Sequence, residues 1–447
     1  MKDKYDLIIV GGGPAGIFTA LELSRLNLSM HILLLEKGKE LHERSSLMCG
    51  WGGAGAYSDG KLTLTPEIGG YLKDIVGIEE TQKLIQYVDQ IYLDFGAPTE
   101  VFGDDADANA ELSRKAAMAS LRFVPARIRH LGTDNCTYIL QRFRDHLSDK
   151  IEIQTDCSVS TILVEEGTVR GVETADGKRI LCDRLVLAPG REGAAWLVEE
   201  CRRLQLTMAR NPVDVGVRVE VPGAVLEPLT RVSFETKLEY FTRSFDDRVR
   251  TFCMCPYGVV AIEKANGVTT VNGHSYANRK TDNSNFAILV STRFTDPFKE
   301  PITYGRYIAQ LANLLGGGVI VQRLGDLQTG RRSTRDRLAH GIVTPSLAEA
   351  TPGDLSFVLP YRYLTDILEM LQALDQLTPG IASRHTLLYG VEVKFYSARP
   401  KVSKGLETEV GNMFAIGDGA GVTRGLMQAS ASGVLVAREI SSRVEAR

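Results

Sequence analysis

Residues 5–37 read YDLIIVGGGPAGIFTALELSRLNLSMHILLLEK. Tyr5–Val10 is a short apolar run, rich in Ile and Val, that ends in glycine; it reads as a buried parallel strand. Pro14–Leu26 places Ile17, Ala20, Leu21, Leu23 and Leu26 at helical spacing, and His31–Glu36 is a second buried strand. The three elements make a βαβ unit. Its turn is Gly11-Gly12-Gly13-Pro14-Ala15-Gly16, a G-x-G-x-x-G, and Glu36 follows Gly16 by 20 residues at the end of the second strand. A strand before, a helix after and an acid at that distance are the context the motif requires for dinucleotide binding. Gly11 permits the tight turn, Gly13 lets backbone approach a pyrophosphate, and Gly16 lets the helix pack on the strand. The helix N-terminus offers free N–H groups and partial positive charge to phosphate. Glu36 would accept hydrogen bonds from the adenosine ribose. The alternative is a glycine turn without a ligand.

This turn does not separate FAD from NAD; the far end of the chain does. Residues 412–433 read NMFAIGDGAGVTRGLMQASASG. Met413–Ile416 is an apolar strand, and a helix follows from about 425 to 443. Asp418, in the glycine turn between them, is placed to bind a flavin ribityl chain; its bland reading is a helix cap. Residues 49–62, CGWGGAGAYSDGKL, form a loop nearly free of bulky side chains, suited to an extended cofactor or simply to a flexible surface. Residues 184–193, RLVLAPGREG, form a buried strand that ends in Ala188-Pro189-Gly190 beneath the expected cofactor, and Val159 is a candidate adenine contact.

Between these ends the period changes. Helices are expected at 79–95, at about 134–147 (capped by Thr133 or Asp134) and at about 194–204. Ile151–Gln154, Val159–Glu165, Thr168–Thr174 and Arg179–Cys182 read as short strands, with turns at Glu166-Gly167 and Asp176-Gly177. From about 211 to 385 the pattern is mixed, with strands at Val213–Val221 and Phe286–Ser291 and helices at 304–315 and 364–377. The expected fold class is α/β. A Rossmann-like FAD-binding domain, with a parallel sheet, a βαβ unit and a β-meander, would be built discontinuously from 1–65, 130–210 and 386–447. Residues 66–129 would be a helical insertion, and 211–385 an inserted mixed α+β substrate or cap domain.

The bulk composition narrows the partners. A net charge of −3 and 7% aromatics offer neither a basic face nor a stacking platform for nucleic acid. No apolar run reaches the length of a membrane span. Seven scattered cysteines argue against a disulfide framework and for a reducing, cytoplasmic setting. No second pair of Cys or His lies at metal-ligand spacing, so no metal is expected.

The sequence resembles the two-dinucleotide-binding flavoprotein superfamily, and within it the bacterial group of uncharacterised FAD-dependent dehydrogenases (NAD(P)/FAD-dependent oxidoreductases). The matching stretches are SDGKL at 58–62, TFCMCP at 251–256, VNGHSYANR at 271–279, VEVKFYS at 391–397 and AIGDGAGVTRGLMQASASG at 415–433. Members often carry a further domain ahead of the fingerprint, which begins here at residue 11; Tyr257 also stands where a smaller residue is usual. The resemblance implies FAD and redox chemistry but no particular substrate. The candidate cofactor contacts are Gly11, Gly13, Pro14, Ala15, Gly16, Glu36, Lys37, Gly52, Gly53, Ser58, Asp59, Gly60, Lys61, Val159, Ala188, Pro189, Gly190, Gly417, Asp418, Gly425, Leu426, Met427 and Gln428.

Flavin supplies hydride chemistry, so few catalytic side chains are required. Cys253 and Cys255 share one face of an extended segment and could form a redox pair, or be two small buried residues. Lys394 and Tyr396 alternate with apolar residues and could stabilise reduced flavin or hold a substrate acid, or lie on a solvated edge strand. The basic run Arg331–Arg337 reads as an anion site or a solvated helix face. Gly316-Gly317-Gly318 follows a helix, so it is no second fingerprint. The expected function is an FAD-dependent oxidoreductase, a dehydrogenase or reductase, moving a hydride between flavin and a small organic substrate. NAD(P)H as a transient donor, a protein electron partner, or the substrate itself would feed the flavin. A flavin monooxygenase or oxidase, and a non-catalytic electron-transfer module, are the alternatives.

Overall fold

The computed structural model describes residues 2–26, 29–46, 48–58, 60–209, 212–233, 235–265, 267–275, 280–292, 294, 297–298, 300–394 and 399–445, without the side chains of residues 133, 134 and 265. The caps proposed at Thr133 and Asp134 therefore lie outside what is described. The chain divides into two units: Met1–Val101 with Arg127–Asn211 and Ser397–Arg447, and Phe102–Ala126 with Pro212–Tyr396. None of the described helices is long and apolar enough to cross a membrane.

The first unit is built on a five-stranded parallel sheet. Its order is Met413–Ala415, Leu185–Leu187, Leu7–Val10, Ile32–Leu35, Glu152–Gln154. All four residues of Leu7–Val10 are buried, as a central strand covered on both faces demands. The helix Pro14–Arg25 runs from the end of that strand, and the helix Leu426–Glu445 packs along it. A meander of Val159–Glu165, Thr168–Thr174 and Arg179–Cys182 forms a second sheet, which Lys4–Tyr5 joins in parallel.

The crossing of the two helices depends on missing side chains. A Cβ on Gly433 would sit 2.2 Å from the Ala15 carbonyl oxygen and 2.8 Å from the Thr19 amide. Thr19 fills the remaining space and donates its hydroxyl to the Ala15 carbonyl at 2.9 Å.

The second unit is an eight-stranded sheet in the order Thr351–Pro352, Ile320–Arg323, Leu387–Lys394, Val213–Pro222, Asn283–Thr292, Arg248–Cys255, Lys237–Phe241, Arg122–Val124. The helices Pro301–Gly316 and Tyr361–Leu377 contribute Ile308, Ala309, Ile367 and Met370 to its apolar core.

Two expected boundaries move. Residues 66–129 are not one insertion. The helix Ile78–Asp94 belongs to the first core, whereas Ala106–Met118 and Arg122–Val124 belong to the second unit. Residues 387–394 do not return to the first unit, because Leu387–Lys394 hydrogen-bonds between Val213–Pro222 and Ile320–Arg323. That strand is interior, which also corrects its reading as a solvated edge.

Two stability measurements follow. Gly433→Ala should lower stability by about 1–3 kcal/mol, read by urea or thermal unfolding, because an overpacked helix crossing must separate. In the second unit Asp366 is fully buried on the helix Tyr361–Leu377, and burial together with the nearby charge of Asp247 pushes its carboxyl up to about 7. A carboxyl raised in the folded state binds a proton that the unfolded chain has already lost. Stability should therefore fall as pH rises from about 4 to about 7 and stay low above that range. Asp366→Asn should remove this slope, matching the parent at pH 4 and exceeding it at pH 8.

Candidate functional site

Four strands of the parallel sheet end at the same edge, and each runs into a loop that turns over it. Leu7–Val10 leads to Gly11, Ile32–Leu35 to Glu36, Leu185–Leu187 to Ala188-Pro189-Gly190, and Met413–Ala415 to Gly417-Asp418. The carboxyl edge of such a sheet is where α/β folds bind ligands. A cleft of about 390 Å³ lies there, within the first unit and of the size that small-molecule sites take.

The helix Pro14–Arg25 begins at this cleft with Gly13 as its N-cap, and no side chain caps it. Pro14 has no N–H, and the amides of Ala15 and Gly16 have no partner inside the helix. They and the helix dipole supply positive potential without a charged side chain. Backbone crowds the turn from beneath. A Cβ at Gly11 would lie 2.0 Å from the Ala188 oxygen, and one at Gly16 would lie 2.0 Å from the Gly11 oxygen. On the cleft side there is room. A Cβ at Gly13 would meet nothing closer than the Gly53 Cα at 4.0 Å, and at Gly190 or Gly425 it would meet nothing within 4 Å.

Glu36 is buried, and its carboxylate already organises the loops. Oε2 accepts from the Gly12 amide at 2.7 Å, and Oε1 accepts from the amides of Gly38 and Gly50 at 2.8 and 2.9 Å. Asp418 accepts from the Thr423 hydroxyl at 2.8 Å and from the Gly425 amide at 3.1 Å, so it does cap the approach to the last helix. Arg44 donates to the carbonyls of Trp51 and Gly53 at 2.7 and 2.9 Å, and burial lowers its pKa.

Of the candidates, Gly11, Gly13, Pro14, Ala15, Glu36, Lys37, Gly53, Ser58, Lys61, Val159, Ala188, Pro189, Gly190, Gly417, Asp418, Gly425 and Leu426 line the cleft. Five do not. Gly16, in the helix's first turn, faces the Gly11 carbonyl, and Met427 is in the core. The space over Gly52 is taken by Leu140, and that over Gly60 by Cys136 and Leu131. Gln428 donates to the carbonyls of Pro66 and Ile68, holding a loop in place. Asp59 falls outside the described residues. The cleft also takes in Arg191, Glu192, Trp196, Cys49 and Cys157, which sequence reasoning missed. Arg191 and Glu192 extend the Pro189-Gly190 turn and were within reach of it; nothing in the sequence marked Trp196. Glu192 pairs with Lys37 at 3.3 Å, and burial followed by the charge of Glu36 raises the pKa of Cys49.

Cys253, Cys255 and Lys394 belong to the second unit, where they gather around Arg218 rather than in this cleft. Tyr396 lies outside the described residues. In the basic run, Arg331 joins the neighbouring Arg323 on the buried Asp326 at 3.1 and 2.9 Å, while Arg332 and Arg335 are exposed.

Two family models match the chain, and both describe FAD-dependent proteins. Residues 6–285 match the family described as FAD dependent oxidoreductase, and residues 212–395 match the C-terminal domain-like region described for FAD-dependent proteins. An uncharacterised protein of Clostridium beijerinckii is 27% identical over 478 aligned positions, which cover 98% of this chain and 81% of that protein. Solved structures are similar at a distance. Formate oxidase of Aspergillus oryzae aligns over 100% of both chains at 12% identity and a TM-score of 0.48. L-proline dehydrogenase from P. horikoshii aligns over 99% of this chain and 95% of its own at 12% identity and a TM-score of 0.41. With more than half of its length matched, the chain belongs to the FAD dependent oxidoreductase family and is an FAD-using oxidoreductase.

Proposed function

We propose that the cleft holds FAD with its pyrophosphate at the N-terminus of the helix Pro14–Arg25, and that the enzyme moves a hydride between the flavin and a small organic substrate. The uncapped helix end beneath the bare Gly13 Cα carries this reading. When bound, FAD supplies the hydride acceptor and donor.

The protein's own part is to bind and orient. Ala15 and Gly16 direct amides at phosphate, and the open faces of Gly13, Gly190 and Gly425 let backbone approach a bulky ligand. Glu36 has one donor on Oε2 against two backbone amides on Oε1, which leaves Oε2 with capacity for a ribose hydroxyl. Asp418 holds its Oδ2 on a single amide and can take a ribityl hydroxyl in the same way. Val159 would face the adenine. We assign substrate selection to the second unit. Among the described residues Gly317 caps a helix in left-handed conformation, so the glycine triplet there serves as a helix stop. We therefore have NAD(P)H reduce the flavin by transient docking.

Gly13→Ala separates ligand binding from folding. Gly13 has φ −84°, which alanine adopts freely, and the added methyl meets no protein atom within 4 Å beyond the Gly53 Cα. The variant should keep the parent's melting temperature as apoprotein yet bind FAD at least tenfold more weakly, ~1.4 kcal/mol, by fluorescence titration. Equal affinity would remove the pyrophosphate from this turn. Gly11→Ala is the contrasting control and should fail to fold, because its methyl would overlap the Ala188 carbonyl.

Anaerobic titration of the yellow protein with NADH, then NADPH, should bleach the flavin bands. Flavin that stays oxidised would make the organic substrate the hydride donor, and rapid reoxidation of reduced enzyme by oxygen would favour an oxidase or monooxygenase.

A further inference from the structure

The strand Arg248–Cys255 is interrupted where its two cysteines lie. Phe252 pairs with Ala287 and Cys255 with Asn285, so three steps on one strand oppose two on the other. This bulge brings Cys253 to φ +45°, a region non-glycine residues seldom occupy and one that marks functional strain when it persists. The Cys255 thiol donates to the Cys253 carbonyl at 3.5 Å.

Beside them sits a guanidinium with no exposure to solvent. Arg218 Nη2 donates to the Cys253 carbonyl at 2.6 Å and to Cys255 Sγ at 3.1 Å, while Nε donates to Asn285 at 2.8 Å. Its carboxylate partner, Glu392, is 3.4 Å away, longer than a charge-assisted bond usually is. Glu392 is also shared with Lys394 at 3.1 Å, which reaches Glu263 at 3.3 Å. Glu235, paired with Lys237 at 3.1 Å, is the other acid acting on Cys253. Gly273 makes the arrangement possible, because a Cβ there would lie 1.6 Å from Arg218 Nη2. The buried Arg218 thus shares its one carboxylate with Lys394, which has a second in Glu263, and the sulfurs sit against Arg218.

We infer that Cys253 and Cys255 form a reversible dithiol–disulfide couple that hydrogen peroxide oxidises. This holds whether or not the flavin reading is right. The Cys253 thiolate attacks one peroxide oxygen, and the O–O bond breaks. One oxygen leaves as hydroxide and takes up a proton to become water; the other stays on sulfur as a sulfenic acid. The Cys255 sulfur then attacks Cys253 Sγ, and the S–S bond forms as the second hydroxide leaves with the Cys255 proton as water. Two thiols and one peroxide give one disulfide and two waters. An external dithiol reverses the step by exchange, becoming a disulfide itself.

The surroundings favour Cys253 as the attacking sulfur. The Cys255 thiol, opposed by burial and aided by the Arg218 charge, brings Cys253 down to about 6. Burial instead pushes Cys182 up to about 12 and Cys201 up to about 11, and raises Cys49 and Cys157.

The test uses reduced holoprotein, freed of reductant without oxygen and given one equivalent of hydrogen peroxide. Alkylation under denaturing conditions should then find five of the seven thiols. The peptide holding residues 253–255 should be unalkylated and two hydrogen atoms lighter, and dithiothreitol should restore it. Cys255→Ser should stop at a sulfenic acid that dimedone traps on Cys253. The wild-type rate should rise with thiolate through about pH 6 and level off above it. Alkylation of Cys253 and Cys255 in full, with Cys49 or Cys157 oxidised in their place, would overturn the inference, and that map needs no variant to fold.

Discussion

The first unit depends on one steric constraint: backbone must touch backbone around the fingerprint turn. The Ala188 carbonyl occupies the place of a Gly11 side chain, and the Gly11 carbonyl occupies that of Gly16. Gly433 repeats the device where the last helix crosses the first. Together these contacts bring two strand ends and the two helices backbone to backbone. The bare surface that results is the floor of the cleft, so the packing that stabilises this unit and the cleft itself have one origin. Glu36 serves both as well, since the amides it gathers from Gly12, Gly38 and Gly50 fix the loops that form the cleft's wall.

The second unit follows a different rule. One face of its sheet packs on Ile308, Ile367 and Met370. The other carries buried charge beside a second apolar cluster that includes Val321, Leu387 and Tyr389. On Val213–Pro222, Asp214 pairs with Arg250, Arg218 with Glu392, and Glu220 accepts from the Tyr389 hydroxyl at 2.5 Å and the Asn283 amide at 3.1 Å. Buried ion pairs of this kind rarely stabilise a fold relative to apolar residues of the same volume, because desolvation offsets the attraction. Leaving one partner alone is costly, which makes the layer cooperative.

These two rules explain what the sequence reveals and what it hides. Wherever a local period or a turn residue sets the structure, the reading succeeds: the strands Val159–Glu165, Thr168–Thr174 and Arg179–Cys182 fall at the residues expected. The cleft residues contributed by strand ends were legible for the same reason, since a glycine at a strand's end is a local signal. Gln428 was misplaced because the side chain's target, the carbonyls of Pro66 and Ile68, lies some 360 residues away in sequence. Leu387–Lys394 was misassigned because periodicity describes a strand and says nothing of which sheet takes it.

The strand expected at Val213–Val221 forms, and what periodicity leaves open is its burial. Val213, Val215, Val217, Val219 and Val221 alternate with Asp214, Gly216, Arg218 and Glu220, a pattern common to half-buried strands. All nine residues are buried. Alternation distinguishes apolar from polar, not dry from wet, and the two agree only when polar residues reach water. Here the polar face is dry, so each charge needs a partner from another strand, and sheet order rather than composition decides whether it finds one. Arg218 finds Asn285 on one neighbouring strand and Glu392 on the other, and Cys255 on the strand beyond Asn285. A cation bound by four strands cannot leave, and its incomplete neutralisation is imposed on whatever lies beside it. That is why two cysteines the sequence could place only on one face of a strand lie against a buried guanidinium contributed from 35 positions away.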